Sequence, residues 1–289
     1  MKALDLKTIF HKELDYIYGK EEVESFFFLY LEHYLDVARI QLQLDSEFAI
    51  AKPRTEQFFT TLEALKQQKP IQYIIGETEF YGLKLKVSED VLIPRQETEE
   101  LVDWIIKSAS SYKRNDPLKI LDVGTGSGCI AISLAKKFSE ANVYALDVSQ
   151  KAIKIARENA ESNNTKISFL EADILDSTSW NSEFKDLEFD IIVSNPPYVR
   201  NLEKVDIQSN VIDNEPHLAL FVDDDNPLVF YKAITDFAVN NLKQKGQLYF
   251  EINQYLGNET KQLLIDANFD NVELRKDLNG NDRMLKGIN

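Results

Sequence analysis

The tetrapeptide Asn195-Pro196-Pro197-Tyr198 combines residue types that suit the binding of a planar amino group. Two prolines fix the backbone and remove two N–H donors, so the segment presents the Asn195 side-chain oxygen and its carbonyl oxygens as acceptors. A planar group that carries NH2 needs two acceptors for its hydrogens and a flat surface, which the Tyr198 ring offers. The sequence therefore predicts a rigid acceptor site here, with an ordinary strand-ending turn as the alternative.

A buried strand is needed to position this acceptor site. Ile191, Ile192 and Val193 form a short continuous apolar run directly before it. Such a run is typical of a parallel strand that is covered on both faces in an α/β sheet. We expect the acceptor site to lie at the carboxyl end of that strand.

A glycine-rich turn between a predicted strand and a predicted helix forms a second candidate site. The turn consists of Gly124, Thr125, Gly126, Ser127 and Gly128. Glycine lets the backbone approach a ligand closely, and the following helix start offers free N–H groups. A dinucleotide-binding fingerprint would require glycine where Cys129 stands, and the Gly-Lys-Ser/Thr of a phosphate-binding loop is missing. The spacing thus excludes both of these sites.

Acidic residues follow successive predicted strands. Asp122 precedes the glycine turn, Asp147 ends the next strand, and Asp173 ends the third. An acid at the position of Asp147 can accept both hydroxyls of a ribose. Asp173 can bond an exocyclic amine of a purine while Ile174 packs on the ring. A single strand-end aspartate usually caps a helix, but three along one sheet favour a nucleoside pocket at its carboxyl edge.

Composition limits the class of protein. The chain has 289 residues, 44% of them apolar, and a formal net charge of −15. Its length suits one large domain with a smaller one. No apolar run approaches the roughly 18 residues of a membrane span, and the first residues lack the apolar core of a signal peptide. Cys129 is the only cysteine, which indicates a reducing, cytoplasmic compartment. The acidic balance argues against a nucleic-acid partner.

The chain changes character twice. The apolar pattern of residues 1–72 predicts a small helical bundle, in which Thr55 is expected to be the N-cap of one helix. We expect this bundle to dock a protein substrate. Residues 73–90 predict a β-hairpin linker, because strand-type residues alternate with glycines. Residues 91–289 predict the catalytic α/β domain, in which Thr98 is expected to cap a helix. No metal site is predicted.

The segment from Val199 to Asp223 shows little regular pattern and is expected to be a lid or a binding loop. Glu215-Pro216 is part of its most specific stretch. The run Asp223-Asp224-Asp225-Asn226 resembles a calcium loop in composition but lacks its glycine and terminal glutamate, so it is expected to mark a helix start. Arg95 precedes another helix and is a candidate for binding a ligand carboxylate, with a solvated surface arginine as the alternative.

The combination of Asp122-Val-Gly-Thr-Gly-Ser-Gly128 with Asn195-Pro-Pro-Tyr198 resembles the class I S-adenosylmethionine-dependent methyltransferases that act on amino groups. The similarity extends to the bacterial release-factor glutamine methyltransferases (the HemK/PrmC family). It is carried further by the helical first domain and by the segments 72–82, 92–99, 215–216 and 280–283. The resemblance implies a Rossmann-like, mostly parallel seven-stranded sheet with a C-terminal antiparallel hairpin. It also implies methylation at N5 of the glutamine in the Gly-Gly-Gln motif of peptide chain release factors.

The resemblance also implies roles for individual residues. The implied catalytic residues are Asn195, Pro196 and Tyr198. The S-adenosylmethionine site would consist of Gly124, Thr125, Gly126, Ser127, Gly128, Asp147, Asp173, Ile174 and Asn195. The substrate site would consist of Asn195, Pro196, Pro197, Tyr198, Arg95 and Glu215. Ile174 departs from the tryptophan of some members, which leaves weaker stacking on the adenine.

Two alternatives remain open at the level of sequence. An N6-adenine methyltransferase acting on DNA or RNA would use the same acceptor site on a flipped-out base. The net charge of −15 and the lack of a basic cluster argue against it. A non-catalytic protein that docks on the translation machinery would have no need for paired prolines and acceptors beside a cofactor pocket.

Overall fold

A computed structural model describes residues 1–45, 47–110, 116–184 and 187–289. The chain divides into two compact units. The first unit consists of Met1–Gly76 and Gln208–Asn214, and the second of Glu77–Ile207 and Glu215–Asn289. The hairpin strands predicted as a separate linker therefore lie within the second unit.

The first unit is a helical bundle, as the sequence predicts. Its first helices are α1 (Ala3–Tyr18), α2 (Lys20–Leu35), α3 (Arg39–Leu44), α4 (Lys52–Lys66) and α5 (Ile71–Ile75). The rings of Phe10, Phe27 and Phe58 are fully buried at its centre. The Phe10 centroid lies 5.8 Å from that of Phe27 and 5.0 Å from that of Phe58. This aromatic core accounts for the apolar stripes of three helices.

Two predictions for this unit are wrong at their boundaries. Thr55 does not cap a helix, because α4 begins at Lys52 and the Thr55 hydroxyl donates to the Ala51 carbonyl at 3.2 Å. Pro53 lies in the first turn of α4, where its missing N–H breaks no helical bond. Residues 71–75 form helix α5 instead of a strand, and Gly76 ends it in the left-handed conformation at φ +80°. Ile71 is buried in the bundle, and Ile74 and Ile75 are partly buried against it, which overrides their strand propensity.

The second unit contains the sheet. Its elements up to residue 206 are β1 (Glu77–Phe80), β2 (Leu83–Lys86), α6 (Gln96–Ser110), β3 (Lys119–Val123), α7 (Cys129–Lys137), β4 (Asn142–Asp147), α8 (Gln150–Ser162), β5 (Ile167–Glu171), α9 (Ser177–Phe184), β6 (Phe189–Ser194), β7 (Val199–Arg200) and a 3-10 helix (Asn201–Asp206). Helix α10 (Ser209–Asn214) belongs to the first unit. The remaining elements are α11 (His217–Leu220), β8 (Phe221–Val222), α12 (Val229–Asn241), β9 (Leu242–Glu251), α13 (Gly257–Asp266), β10 (Asp270–Lys276) and β11 (Asp282–Ile288).

Seven strands form one sheet in the order β10-β11-β9-β6-β3-β4-β5. Strands β5, β4, β3, β6 and β9 are parallel neighbours, whereas β11 runs antiparallel to β9 and β10 antiparallel to β11. The predicted mostly parallel sheet with a C-terminal antiparallel hairpin is confirmed. The chain leaves β3 toward β4 and returns on the other side at β6. Ligands bind at such a reversal, beyond the carboxyl ends of the strands.

The segment after the acceptor site is more regular than the sequence predicts, and its role as a lid or a binding loop stays a prediction. Val199 to Asp223 contains two short strands that pair in parallel, a 3-10 helix and two short helices. None of these elements is long enough for apolar periodicity to show. Asp223 to Asp225 do not start a helix, since α12 begins at Val229. Instead, Asp224 Oδ1 accepts the Leu202 N–H at 3.0 Å.

Among the described residues, none of the helices combines the length and apolar character needed to cross a bilayer.

Candidate active site

A cavity in the second unit lies where strands β3, β4 and β6 end. Eleven of the predicted site residues line it: Arg95, Gly124, Thr125, Gly126, Ser127, Asp147, Asp173, Ile174, Asn195, Pro196 and Pro197. Gly128, Tyr198 and Glu215 are not among the described residues that line it. The sheet thus brings the glycine turn and the acceptor site to one place, although about 70 residues separate them in the chain.

The glycine turn is held against the end of β4. The N–H groups of Gly124 and Thr125 both donate to the Leu146 carbonyl, at 2.9 and 3.0 Å. Gly124 and Gly126 have φ values of +73° and +55°, in the left-handed region that disfavours side chains. The turn therefore requires glycine at both positions. Because glycine has no side chain, the backbone of the turn stays open toward the cavity.

Gly128 serves helix packing. It is the N-cap of α7 at φ +85°. A Cβ built on it would lie 3.0 Å from Ile132 Cδ1 and 3.2 Å from Ala156 Cβ. The glycine allows α7 and α8 to approach each other closely beneath the turn. Its predicted contact with a cofactor stays a prediction.

Asp147 links the turn to the next helix. Its Oδ2 accepts the Gly126 N–H at 2.8 Å, and its Oδ1 accepts the Ser149 N–H at 2.9 Å. Burial raises the pKa of this carboxyl above its ordinary value, and the backbone N–H groups oppose that rise. Each carboxylate oxygen has a second lone pair. Asp147 can therefore hold the turn and accept ligand hydroxyls at once.

Asp122 lies beneath the turn. Its Oδ2 accepts the Thr125 hydroxyl at 2.7 Å and the Ala131 N–H at 3.2 Å. Its Oδ1 is buried and has no hydrogen-bond partner among the described residues. Burial raises the pKa of Asp122 to about 7, and the nearby Asp147 adds to that rise. Asp122 is thus a structural acid of the turn, and its negative charge is costly at this buried position.

Asp173 and Ile174 form the wall of the cavity beyond β5. Asp173 Oδ1 accepts the Leu175 N–H at 2.9 Å, and the Asp173 N–H donates to Ser179 Oγ at 3.1 Å. The Ile174 side chain is 8% exposed and lines the cavity. An aliphatic wall beside a fixed carboxylate suits a purine ring with an exocyclic amine.

The acceptor site is tied to helix α6 and strand β9 through a chain of hydrogen bonds. Asn195 Nδ2 donates to Thr98 Oγ1 at 3.2 Å, and the Thr98 hydroxyl donates to Glu251 Oε2 at 2.6 Å. The Tyr198 hydroxyl donates to Glu251 Oε1 at 3.0 Å. Glu251 is 1% exposed, so this carboxylate lies fully within the protein. Thr98 is not a helix cap, as the sequence suggested, but a link in this chain.

Charge around Glu251 is balanced in part by Arg283. Arg283 Nη1 donates to the Tyr198 hydroxyl at 3.5 Å, and Arg283 Nε donates to Asp277 Oδ2 at 3.2 Å. Burial raises the pKa of Glu251, while the bonds from Thr98 and Tyr198 and the charge of Arg283 lower it. Burial and the Glu251 charge raise the pKa of Tyr198, so Tyr198 stays a donor. The role of the Tyr198 ring as a flat surface for substrate stays a prediction.

Arg95 and Glu215 pair with each other. Arg95 Nη2 donates to Glu215 Oε1, and the Ile93 N–H donates to Glu215 Oε2 at 3.2 Å. Glu215 is 4% exposed, while the Arg95 side chain is 36% exposed and lines the cavity. The pair fixes the segment before α11 beside the cavity. Direct contact of either residue with a substrate stays a prediction.

Sequence reasoning missed Thr98 and Glu251 as site residues. A signal for Glu251 was present, because an acid stands in the apolar run of β9 between Phe250 and Ile252. A buried carboxylate is costly unless it is hydrogen-bonded, so such an acid points to partners elsewhere in the chain. No local pattern distinguished Thr98 from an ordinary capping residue.

Comparison with solved structures supports the fold. The hMettl16 catalytic domain superposes with a TM-score of 0.52 at 15% identity, covering 82% of this chain and 81% of that one. A 16S rRNA methyltransferase (RsmC) of T. thermophilus, solved with AdoMet and guanosine, gives a TM-score of 0.51 at 17% identity, covering 73% and 49%. The strand order of the sheet and these two likenesses identify the fold as that of the class I S-adenosylmethionine-dependent methyltransferases.

Relatives with similar sequences identify the family within this fold class. Residues 109–220 match the family description "Methyltransferase small domain", and residues 19–76 match "PrmC N-terminal domain". The release factor glutamine methyltransferase of Flavobacterium psychrophilum is 53% identical over 286 residues, which is 99% of each chain. That of Bacteroides thetaiotaomicron is 39% identical over 95% of each chain. The chain belongs to the release factor glutamine methyltransferase family.

Proposed function

We propose that this protein transfers a methyl group from S-adenosylmethionine to the side-chain amide nitrogen (N5) of a glutamine in peptide chain release factors. The glutamine is that of the Gly-Gly-Gln motif. The observation that carries the proposal is the placement of Asn195 and Pro196 in the same cavity as the glycine turn and Asp147. A methyl donor and a planar amide would thus meet at one edge of the sheet. Family membership supports the choice of a release factor as substrate.

The residues of the cavity fit this methyl donor. Asp147 offers lone pairs for ribose hydroxyls, Ile174 an apolar wall for adenine, and the turn at Gly124 and Gly126 a backbone open to close approach. When bound, S-adenosylmethionine supplies an electrophilic methyl group on a positively charged sulfonium. Asp122 supports the same turn from beneath, through the bond that its Oδ2 accepts from the Thr125 hydroxyl.

The protein must make a poor nucleophile react, because the lone pair of an amide nitrogen is delocalised into its carbonyl. The Asn195 oxygen and the Pro196 carbonyl accept both amide hydrogens, which turns the lone pair toward the methyl group and increases electron density on nitrogen. Correct placement lowers such a barrier by up to about 7–11 kcal/mol, and one preorganised polar contact by about 3–4 kcal/mol. A general base contributes about 3–5 kcal/mol. Positioning therefore dominates. The amide nitrogen takes the methyl group from sulfur, which leaves S-adenosylhomocysteine as the product, and then loses a proton to water because methylation has made it more acidic.

The proposal assigns a different role to each part of the chain. Residues 1–72 dock the release factor and residues 91–289 carry out methyl transfer, while the hairpin strands β1 and β2 belong to the second unit. The partner is a protein, and the net charge of −15 disfavours a nucleic-acid backbone in its place. A substrate that takes part in translation termination assigns the protein to the cytoplasm.

A labelling experiment tests the proposal. The protein is incubated with S-adenosylmethionine carrying a labelled methyl group and with release factor, release factor whose Gly-Gly-Gln motif reads Gly-Gly-Ala, or nucleic acid. We expect label only in the intact release factor, and none with the Asn195→Ala variant of the enzyme. Label confined to nucleic acid would establish the adenine methyltransferase alternative. Absence of label from every acceptor would establish the non-catalytic one.

A further inference from the structure

The buried pair Thr98 and Glu251 lies directly behind Asn195. We propose that these two residues fix the direction of the Asn195 side-chain amide, so that its oxygen and not its NH2 group faces the substrate. They are positioning residues, since they act through Asn195. The inference rests on the proposed function and deepens it, because only the oxygen of Asn195 can accept an amide hydrogen.

The hydrogens available on Thr98, Tyr198 and Asn195 determine which end of the Asn195 amide faces Thr98. An ionised carboxylate only accepts hydrogen bonds, and Glu251 accepts one at each oxygen, from Thr98 at 2.6 Å and from Tyr198 at 3.0 Å. The Thr98 hydroxyl has a single hydrogen, which is used in the bond to Glu251. Thr98 Oγ1 can therefore only accept from Asn195. Of the two ends of the amide, the NH2 group alone can donate across the 3.2 Å to Thr98.

The opposite arrangement would defeat catalysis. With a protonated or absent carboxylate at 251, the Thr98 hydroxyl would be free to donate to the Asn195 oxygen. The Asn195 NH2 group would then face the NH2 group of the substrate, and two sets of donors would meet. The ionised carboxylate of Glu251 thus sets the polarity of a chain of bonds that ends in the cavity. This role explains why a charged residue is kept at 1% exposure in a buried strand.

Substitutions at Thr98 separate positioning from packing. Thr98→Val has nearly the same shape but no hydroxyl, and Thr98→Ser keeps the hydroxyl but loses a methyl group. We expect kcat to fall at least tenfold in Thr98→Val and to stay within threefold of the wild type in Thr98→Ser. The dissociation constant of S-adenosylmethionine should change less than twofold in both. Equal loss of kcat in the two variants would overturn the inference, because packing would then explain it.

The pH profile provides an independent readout. Only the ionised form of Glu251 accepts from both hydroxyls, so kcat at saturating cofactor should fall as pH falls through the pKa of Glu251. Burial raises that pKa, so the fall should occur above the pH at which a surface glutamate titrates. Thr98→Val should lose this acid limb. An unchanged limb in Thr98→Val would show that Glu251 does not act through Thr98.

Other titratable groups face Glu251 and require a control. They are Glu97, Cys129, Tyr198, Tyr231 and Arg283. Burial raises the pKa of Cys129 to about 12 and those of both tyrosines above their ordinary range, and Arg283 stays charged, so these four groups keep one form between pH 5 and 8. Glu97 is the remaining carboxylate of this set. Asp122 beneath the glycine turn also titrates in this range, because burial raises its pKa to about 7. Thr98→Val leaves Asp122 unchanged, so loss of the acid limb in that variant excludes Asp122 as its source. Glu97→Gln should keep the acid limb, and its loss there would assign the limb to Glu97 instead.

A measurement without substrate distinguishes failure of this inference from failure of the proposed function. The side-chain NH2 signals of Asn195 are identified in a 15N spectrum by their absence in Asn195→Ala. We expect their hydrogen exchange to be at least tenfold faster in Thr98→Val than in the wild type and Thr98→Ser. Slow exchange in the wild type together with no labelled release factor would refute the function and leave the positioning intact. Equal exchange in all three proteins would refute the positioning.

Discussion

Asn195 and Thr98 are 97 residues apart in the chain, yet Asn195 Nδ2 lies 3.2 Å from Thr98 Oγ1. The acceptor site after β6 is therefore held from the side by helix α6 as well as stiffened by its own prolines. This bond leaves the Asn195 oxygen as the atom available to a substrate. Its consequences for activity and stability can be measured.

Asn195→Ala should abolish most methyl transfer while leaving the cofactor bound. The loss of one preorganised contact predicts a fall in kcat of about 100-fold or more. A single-turnover assay measures the transfer, and calorimetry measures the dissociation constant of S-adenosylmethionine. Asn240→Ala, at an exposed position on α12, is the matched control and should behave as the wild type. Complete loss of cofactor binding in Asn195→Ala would show that Asn195 is chiefly a cofactor ligand.

Asp147→Ala should weaken cofactor binding at least tenfold, which corresponds to about 1.4 kcal/mol. The substitution removes acceptors for the ribose and also releases the Gly126 N–H that Asp147 Oδ2 holds at 2.8 Å. Calorimetric titration measures the effect. Asp266→Ala, at an exposed site on α13, controls for the loss of a surface charge. An unchanged dissociation constant in Asp147→Ala would remove this residue from the cofactor site.

Asp122→Asn should change the pH dependence of stability. Burial raises the folded-state pKa of Asp122 from 3.8 to about 7. Between pH 3.8 and about pH 7 the folded protein keeps the Asp122 proton that the unfolded chain has lost. The free energy of unfolding of the wild type therefore falls as the pH rises toward 7. Asparagine removes this titration. The stability of the variant relative to the wild type should therefore increase from pH 5 to pH 8, by up to about 3 kcal/mol.

Urea denaturation of the cofactor-free protein at pH 5, 6, 7 and 8 measures this difference. Glu97→Gln, a carboxylate change at a half-buried position, serves as the comparison at each pH. A constant difference between Asp122→Asn and the wild type would mean that Asp122 titrates in the folded protein as it does in the unfolded chain.

Arg95→Met should destabilise the second unit. Within the part of the chain that the structure describes, it leaves the buried Glu215 carboxylate with the Ile93 N–H as its one donor. A buried group that loses its partner typically costs about 1–3 kcal/mol. The double variant Arg95→Met/Glu215→Gln removes the stranded charge and should recover part of the loss. Thermal and urea unfolding measure both. Lys151→Met removes an exposed partner of Asp90 and should leave stability unchanged within error. Equal stability of Arg95→Met and the wild type would refute a stabilising role for the pair.

Local sequence determined much of the site. The continuous apolar run before Asn195 predicts the buried strand, because a strand covered on both faces has no polar positions. The glycines at 124 and 126 predict a turn with positive φ, because few other residues tolerate it. The acids that follow successive strands predict the carboxyl edge of a parallel sheet as the site. These features depend on neighbouring residues, so the sequence alone determined them.

Tertiary structure decided which side chains support that site. Thr98 and Glu251 are 153 residues apart and meet at 2.6 Å only because α6 packs beside β9. Arg95 and Glu215 lie 120 residues apart and likewise become partners only in the folded chain. Packing also makes a helix of residues 71–75 and gives short elements to the segment after Tyr198. A hydrogen-bond partner is chosen by proximity in the folded chain, so local residue patterns predict the acceptor site but not the buried residues that orient it.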